Sequence, residues 1–307
     1  WSADLFDLFV AATVYHLQVP PEFPASCRCD RSHLARRCLV PMVRATLPQR
    51  QTPPGVNSNA RVSLALAAKL ILIFLVLAAA LVWAAPVVYE RRLERKVWPP
   101  AHVAGARLGL TPQLTARTNL LLLVGDSRIW EWGEPVLDRY SILNVGMPGA
   151  TSAEVLASLP PILEQTRPTA VIIQVGINDL KLLGLRPKSS REIESLVLTN
   201  IFQIARLCQT HGAKVIVTPI WPPGEVTLMR RIVWNPAIER GVKAVNHQIL
   251  RSNLRDFLVM DLYEEAFHDV EADHRFNLYR DTLHLKSSAY EALSKALRRR
   301  MRLPAPG

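Results

Sequence analysis

Apolar positions along the chain fall into two kinds of block. The first is a single unbroken stretch. Residues 70–85 carry no polar side chain, and residues 63–68 and 87–89 extend the block. It reaches the roughly 20 residues that a helix needs to cross a bilayer. It shows no polar face, which argues against a buried core helix. Lys69 lies near one end, where a long side chain can reach the interface. Trp83 and Tyr89 suit the other interface. The second kind is a series of short apolar runs between longer amphipathic ones. Residues 120–124, 141–145, 170–175, 214–219 and 257–261 read as strands. Residues 153–166, 191–211, 236–254 and 287–300 read as helices. Pro160-Pro161 predicts a break in the first of these helices, and Gly212 a C-cap for the second. Strands that are apolar throughout, separated by helices, predict a five-stranded parallel sheet covered on both faces.

Around this frame the chain divides into four parts. Residues 1–60 are rich in Pro and Arg without a sustained period and read as disordered or non-native. Residues 63–89 read as an uncleaved transmembrane anchor. Ala84-Ala85 before Pro86 is a poor context for signal cleavage. Residues 90–117 read as a charged stalk, and residues 118–302 as the globular domain. No internal repeat is visible.

The formal net charge of +11 is uneven, with a balance of +7 in residues 1–110 and +4 beyond them. No basic-aromatic pattern of a nucleic-acid module accompanies it. The run Arg298-Arg299-Arg300-Met301-Arg302 reads as a solvated helix end. Arg50, Arg61 and Lys69 precede the span; Arg91, Arg92, Arg95, Lys96 and Arg107 follow it. That count alone places the C-terminal side in the cytoplasm. Cys27, Cys29, His33 and Cys38 lie close together, but Cys-x-Cys is not the usual zinc spacing and no second pair follows. Cys208 sits in a helical pattern and reads as a small buried hydrophobe.

The residues of chemical interest follow the strands. Ser127 comes after the first strand, in Gly125-Asp126-Ser127. Asn144 to Thr151, with Gly146 and Gly149, comes at the end of the second. Gly176-Ile177-Asn178-Asp179 follows the third, and Asp281-Thr282-Leu283-His284 precedes the last helix. Carboxyl-end loops of such a sheet share one rim, so these segments can meet. Taken singly, each has a plainer reading: turn glycines, a helix cap or Asx turn, a surface pair at i,i+3. His268 and His274 compete with His284, because each has a Glu three residues before it. A serine hydroxyl needs an adjacent base, a histidine suits that role, and a carboxylate fixes its tautomer. An oxyanion then needs preorganised donors; a glycine permits close backbone approach, and Asn178 offers an amide N–H.

In order and as a set, the four blocks resemble those of the SGNH hydrolases, also called the GDSL esterase/lipase family. The resemblance covers about residues 118–300. It implies Ser127 as nucleophile, His284 as base and Asp281 as its orienter. It implies an oxyanion hole from the N–H groups of Ser127 and Gly146 and the side chain of Asn178. The implied fold is a flavodoxin-like three-layer sandwich, here preceded by one transmembrane helix. No metal or organic cofactor is implied. Arg128 stands where the family usually has Leu, and Leu285 where Pro is common after the histidine.

The expected function is a membrane-anchored serine esterase acting on acyl or acetyl esters of lipids or glycans. Two alternatives are an envelope polysaccharide O-acetyltransferase or deacetylase module, and a catalytically silent binding domain. Envelope substrates would place the domain outside the cytoplasm, in the periplasm, against the charge count. The segment from Trp221 to Pro236 could shape a substrate pocket or simply be a loop with aromatic packing.

Overall fold

The structure is a computed structural model that describes residues 58–99, 119–252 and 257–302. The cysteine cluster at residues 27–38, the region up to residue 57 and most of the expected stalk lie outside the described residues. The described residues fall into two units, one ending at Leu81 and the other starting at Val82.

Helix α1 spans Ser58–Val97 and continues through Pro86. Within its part Leu66–Val97, an 18-residue window has a mean hydropathy of 2.8. By length and composition it is a candidate membrane span, and a signal sequence would have the same features. In the first unit, Leu70, Ile71, Leu72 and Phe74 are all exposed. The last turns of α1 belong to the second unit, where Leu93 and Val97 are buried in its core.

The second unit alternates strands and helices: β1 (Leu120–Gly125), α2 (Ser127–Trp132), β2 (Ser141–Asn144), α3 (Ser152–Thr166), β3 (Ala170–Gln174) and α4 (Ile177–Leu180). Then come α5 (Ser190–Thr210), β4 (Lys214–Val217), α6 (Ala237–Arg251), β5 (Leu258–Val259), α7 (Leu262–Phe267) and α8 (Ser287–Arg302). The sheet order is β2-β1-β3-β4-β5, and every pairing is parallel. That is the doubly wound order of flavodoxin-like folds. Register runs Leu122 opposite Leu143 on one side and opposite Val171 on the other.

The unbroken apolar runs are explained by two cores, one on each face. Leu120, Leu122 and Val124 point into a core with residues of α3, α5 and α6. Leu121 and Leu123 point the other way, into a core with Trp132, Tyr263, Leu293 and Leu297. The two-residue period of a strand is present, but both faces are apolar, so no alternation shows in the sequence.

The structure departs from the sequence reading in several places, and β2, β3 and β4 each end one or two residues earlier than expected. Helix α3 runs through Pro160 and Pro161 without a break. A capping box of Thr151 and Glu154 starts it, and Val155, Leu159, Ile162 and Leu163 bury one face, so packing outweighs the lost hydrogen bonds. The fifth strand is only two residues long. Helix α6 ends at Arg251 rather than 254. The short helices α4 and α7 carry too few residues for a periodic signal. Gly212 is left-handed just after α5, as expected of its C-cap, and Cys208 is fully buried. Burial pushes the Cys208 thiol up to about 12.

Candidate active site

The strand order changes direction between β1 and β3, and ligand sites of open α/β sheets lie at such a switch point, beyond the carboxyl ends. Ser127 follows β1, Gly146 follows β2 and Asn178 follows β3. These three strands are neighbours in the sheet.

Ser127 is the first residue of α2, capped by Asp126, whose Oδ1 accepts from the Arg128 N–H at 3.0 Å. The Ser127 Oγ lies 2.9 Å from His284 Nε2. The His284 Nδ1 lies 2.8 Å from Asp281 Oδ2. A carboxylate only accepts, so this contact places the proton on Nδ1 and leaves the Nε2 lone pair for the serine hydroxyl. Asp281 Oδ1 also accepts the N–H groups of Leu283 at 2.8 Å and His284 at 3.0 Å. Burial alone would raise the Asp281 carboxyl. The hydrogen bond and charge of His284, with the two N–H donors, hold it well below the usual carboxylate range. The loop that presents both residues is closed by Arg280 N–H donating to the His284 carbonyl at 2.8 Å. His268 and His274 are exposed and pair with Asp269 and Glu271, so the structure puts only His284 of the three histidines beside Ser127.

Asn178 is buried, and one N–H of its amide donates to the Ala150 carbonyl at 2.9 Å. A primary amide has two N–H donors, so one remains. Gly176, at φ 127, makes the turn that starts α4, a conformation rare for L side chains. Gly146 approaches the backbone of α2: a Cβ there would lie 2.2 Å from the Trp130 nitrogen. Its N–H is engaged, donating to Asn144 Oδ1 at 2.8 Å. An oxyanion would therefore share this donor with Asn144. Sequence reasoning gave Asn144 no role. Its Nδ2 donates to the carbonyls of Ile129 and Gly133, both at 2.6 Å, tying the end of β2 to α2.

Three further residues bear on the site without a role expected from the sequence. Arg128 is fully buried. Its Nε donates to the Leu283 carbonyl at 2.9 Å, its Nη1 to Trp221 at 2.5 Å and its Nη2 to Pro222 at 3.3 Å. It joins the Ser127 turn to the His284 loop and to the loop after β4. Glu131, one turn beyond Ser127, places Oε1 3.8 Å from His284 Nε2 and 3.0 Å from Arg280 Nη2. A cavity of about 360 Å³ adjoins it, lined in part by Ser287, Tyr290, Glu291 and Lys295. Asp179 is buried and accepts from the N–H of Ser152 at 2.9 Å and its hydroxyl at 2.6 Å. Burial pushes its carboxyl up to about 7, against those hydrogen bonds.

Trp221 packs rather than lines a pocket. It is buried, with edge-on ring contacts to Trp132 at 5.9 Å and Tyr290 at 6.1 Å. Among the described residues, Glu271, Asp273 and His274 bring possible metal-ligand atoms within 4.8 Å of one another, all on the exposed surface.

The sequence pattern of the GDSL-like lipase/acylhydrolase family matches residues 125–292. Esterase TesA of Pseudomonas aeruginosa is 32% identical over 129 residues, covering 37% of this chain and 59% of that relative. The chain thus spans about three-fifths of the length of this curated relative. Among solved structures, a GDSL-like lipase from Bacteroides thetaiotaomicron is 17% identical with a TM-score of 0.46, over 69% of this chain and 96% of that one. A lipase/acylhydrolase from Enterococcus faecalis is 20% identical with a TM-score of 0.45, over 62% and 100%. The matched span contains every one of the four sequence blocks, from Gly125 to His284, and the chain belongs to the GDSL-like lipase/acylhydrolase family.

Proposed function

We propose that this protein is a serine ester hydrolase, anchored to a membrane by α1, which cleaves acyl or acetyl esters of lipids or glycans. The observation that carries the reading is the hydrogen-bonded series Ser127 Oγ, His284 Nε2, His284 Nδ1, Asp281 Oδ2, with contacts of 2.9 and 2.8 Å.

In this reading His284 takes the Ser127 hydroxyl proton as Oγ attacks the ester carbonyl. Asp281 keeps the imidazole in the correct tautomer and stabilises its charged form. The oxyanion meets the Ser127 N–H at the start of α2, the unused N–H of Asn178 and the Gly146 N–H shared with Asn144. His284 then returns the proton to the leaving alcohol, and Ser127 holds the acyl group. Water, deprotonated by His284, attacks the acyl carbon, and the acid leaves as Ser127 regains its proton. No step calls on a metal or organic cofactor.

A panel of esters from acetyl to long acyl, turned over by the full chain in detergent, tests the reading. Release of acid from at least one class supports it, and no release from any class refutes it. Resistance of the full chain to carbonate extraction tests the anchor. We place the domain outside the cytoplasm, where envelope esters would lie, against the charge count around the span. Protection from external protease in spheroplasts would overturn that placement.

A further inference from the structure

We propose that the end of α1, residues 90–97, is a positioning element of the active site, in which Lys96 holds the turn at residues 149–151 against Asn178. The proposal rests on the reading of Asn178 as an oxyanion donor.

By sequence this segment is a charged stalk. In the structure its polar and apolar positions sort by helical spacing. Leu93 and Val97, four residues apart, are buried in the core of the second unit. Glu90 and Glu94, also four apart, both pair with Arg186 at 2.5 Å, through Nε and Nη1. Lys96 makes two contacts with the turn at residues 149–151 and one with the start of α3. Its Nζ donates to the Gly149 carbonyl at 2.5 Å and lies 3.4 Å from Glu154 Oε2. Its own carbonyl accepts the Thr151 hydroxyl at 2.7 Å.

The same turn also meets Asn178. Gly149 has φ 72, and the carbonyl of the next residue, Ala150, receives the Asn178 amide at 2.9 Å. Ser152 then bonds Asp179, the neighbour of Asn178. Successive carbonyls are therefore held by two different elements, Gly149 by Lys96 and Ala150 by Asn178. The N–H that Asn178 has left for an oxyanion points where the first N–H allows. A turn freed from Lys96 would shift the Ala150 acceptor and the amide with it. Small misplacements of catalytic groups are costly, up to about a hundredfold for 1 Å.

The test uses the full chain in detergent, assayed on an acetyl ester well below the melting temperature of every variant. Lys96→Met should lower kcat about tenfold with KM within about twofold, since the oxyanion contact matters in the transition state. Lys96→Arg, which keeps a charged donor, should recover most of that loss. In an Asn178→Ala background, Lys96→Met should cost nothing further, because the group it positions is gone. Full additivity of the two losses, a change confined to KM, or an unchanged kcat would each overturn the proposal. An Asn178→Ala variant with wild-type kcat would instead remove the oxyanion reading on which it rests.

Discussion

Ser127 Oγ and His284 Nε2 lie 2.9 Å apart across 157 residues of sequence. β1 delivers Ser127 to the carboxyl edge of the sheet, and a closed loop before α8 delivers His284. Asp281, three residues before His284, is bonded both to its ring and to its backbone N–H. This carboxylate thus shapes the loop and fixes the imidazole.

That double use makes Asp281→Asn informative. The asparagine oxygen can still take the N–H groups of Leu283 and His284, so the loop should hold. Its NH2 would face His284 Nδ1 and favour the tautomer with the proton on Nε2, which cannot accept from Ser127. We expect kcat to fall by about 10⁴, the size known for this change in serine protease triads, with little change in KM. Steady-state kinetics checks it. A loss below tenfold would mean that Asp281 does not control the tautomer.

Arg128 should bear on stability as well as on rate. Replacing it by Leu, the usual family residue, removes the donors to the carbonyls of Leu283 and Trp221, whereas Pro222 keeps the Tyr279 hydroxyl. Each buried acceptor left unpaired costs about 1–3 kcal/mol. Arg128→Leu should lower Tm and kcat together, since the Leu283 carbonyl adjoins His284. Thermal melting alongside kinetics checks this; an Arg128→Leu protein as stable as wild type would contradict it.

Asp179 gives a pH dependence with a definite sign. Burial raises its carboxyl in the folded state from 3.8 to about 7, so between these values the folded protein binds more protons than the unfolded chain. Stability from this group is present below pH 3.8 and is lost as pH rises toward about 7. Asp126, also buried and raised, acts in the same direction. Denaturant unfolding of Asp179→Asn should show a shallower fall across that window than wild type. Parallel curves would contradict the shift.

The domain boundary can be tested by truncation. A chain starting at residue 87 keeps Leu93 and Val97; one starting at residue 100 loses both. Burying two such side chains contributes about 3 kcal/mol or more, which corresponds to roughly 6–12 °C in Tm for a domain of this size. Equal melting temperatures would show that the last turns of α1 add nothing to the hydrolase unit.

Much of this was legible in the chain. The runs at residues 120–124 and 170–175 announced buried parallel strands because both faces of the sheet are covered. The four blocks were legible because carboxyl-end loops gather residues that sequence keeps apart. Other features left no local signal. Pro160-Pro161 looked like a break because the burial of Leu159, Ile162 and Leu163 that overrides it is tertiary. Asn144 was passed over because its partners, Ile129 and Gly133, lie in another element. Lys96 looked like one more stalk charge, since nothing near it in sequence points to Gly149. Arg128 was visible as a departure, but its bonds to two distant loops were not.

Everything above turns on Ser127 as the nucleophile of an ester hydrolase. The most direct measurement treats the full chain with a fluorophosphonate probe and identifies the labelled residue by peptide mass spectrometry, beside the same experiment on Ser127→Ala. Labelling at Ser127 is expected in the wild type, and neither labelling nor ester turnover in a folded Ser127→Ala protein. Turnover by Ser127→Ala equal to that of the wild type would contradict that role.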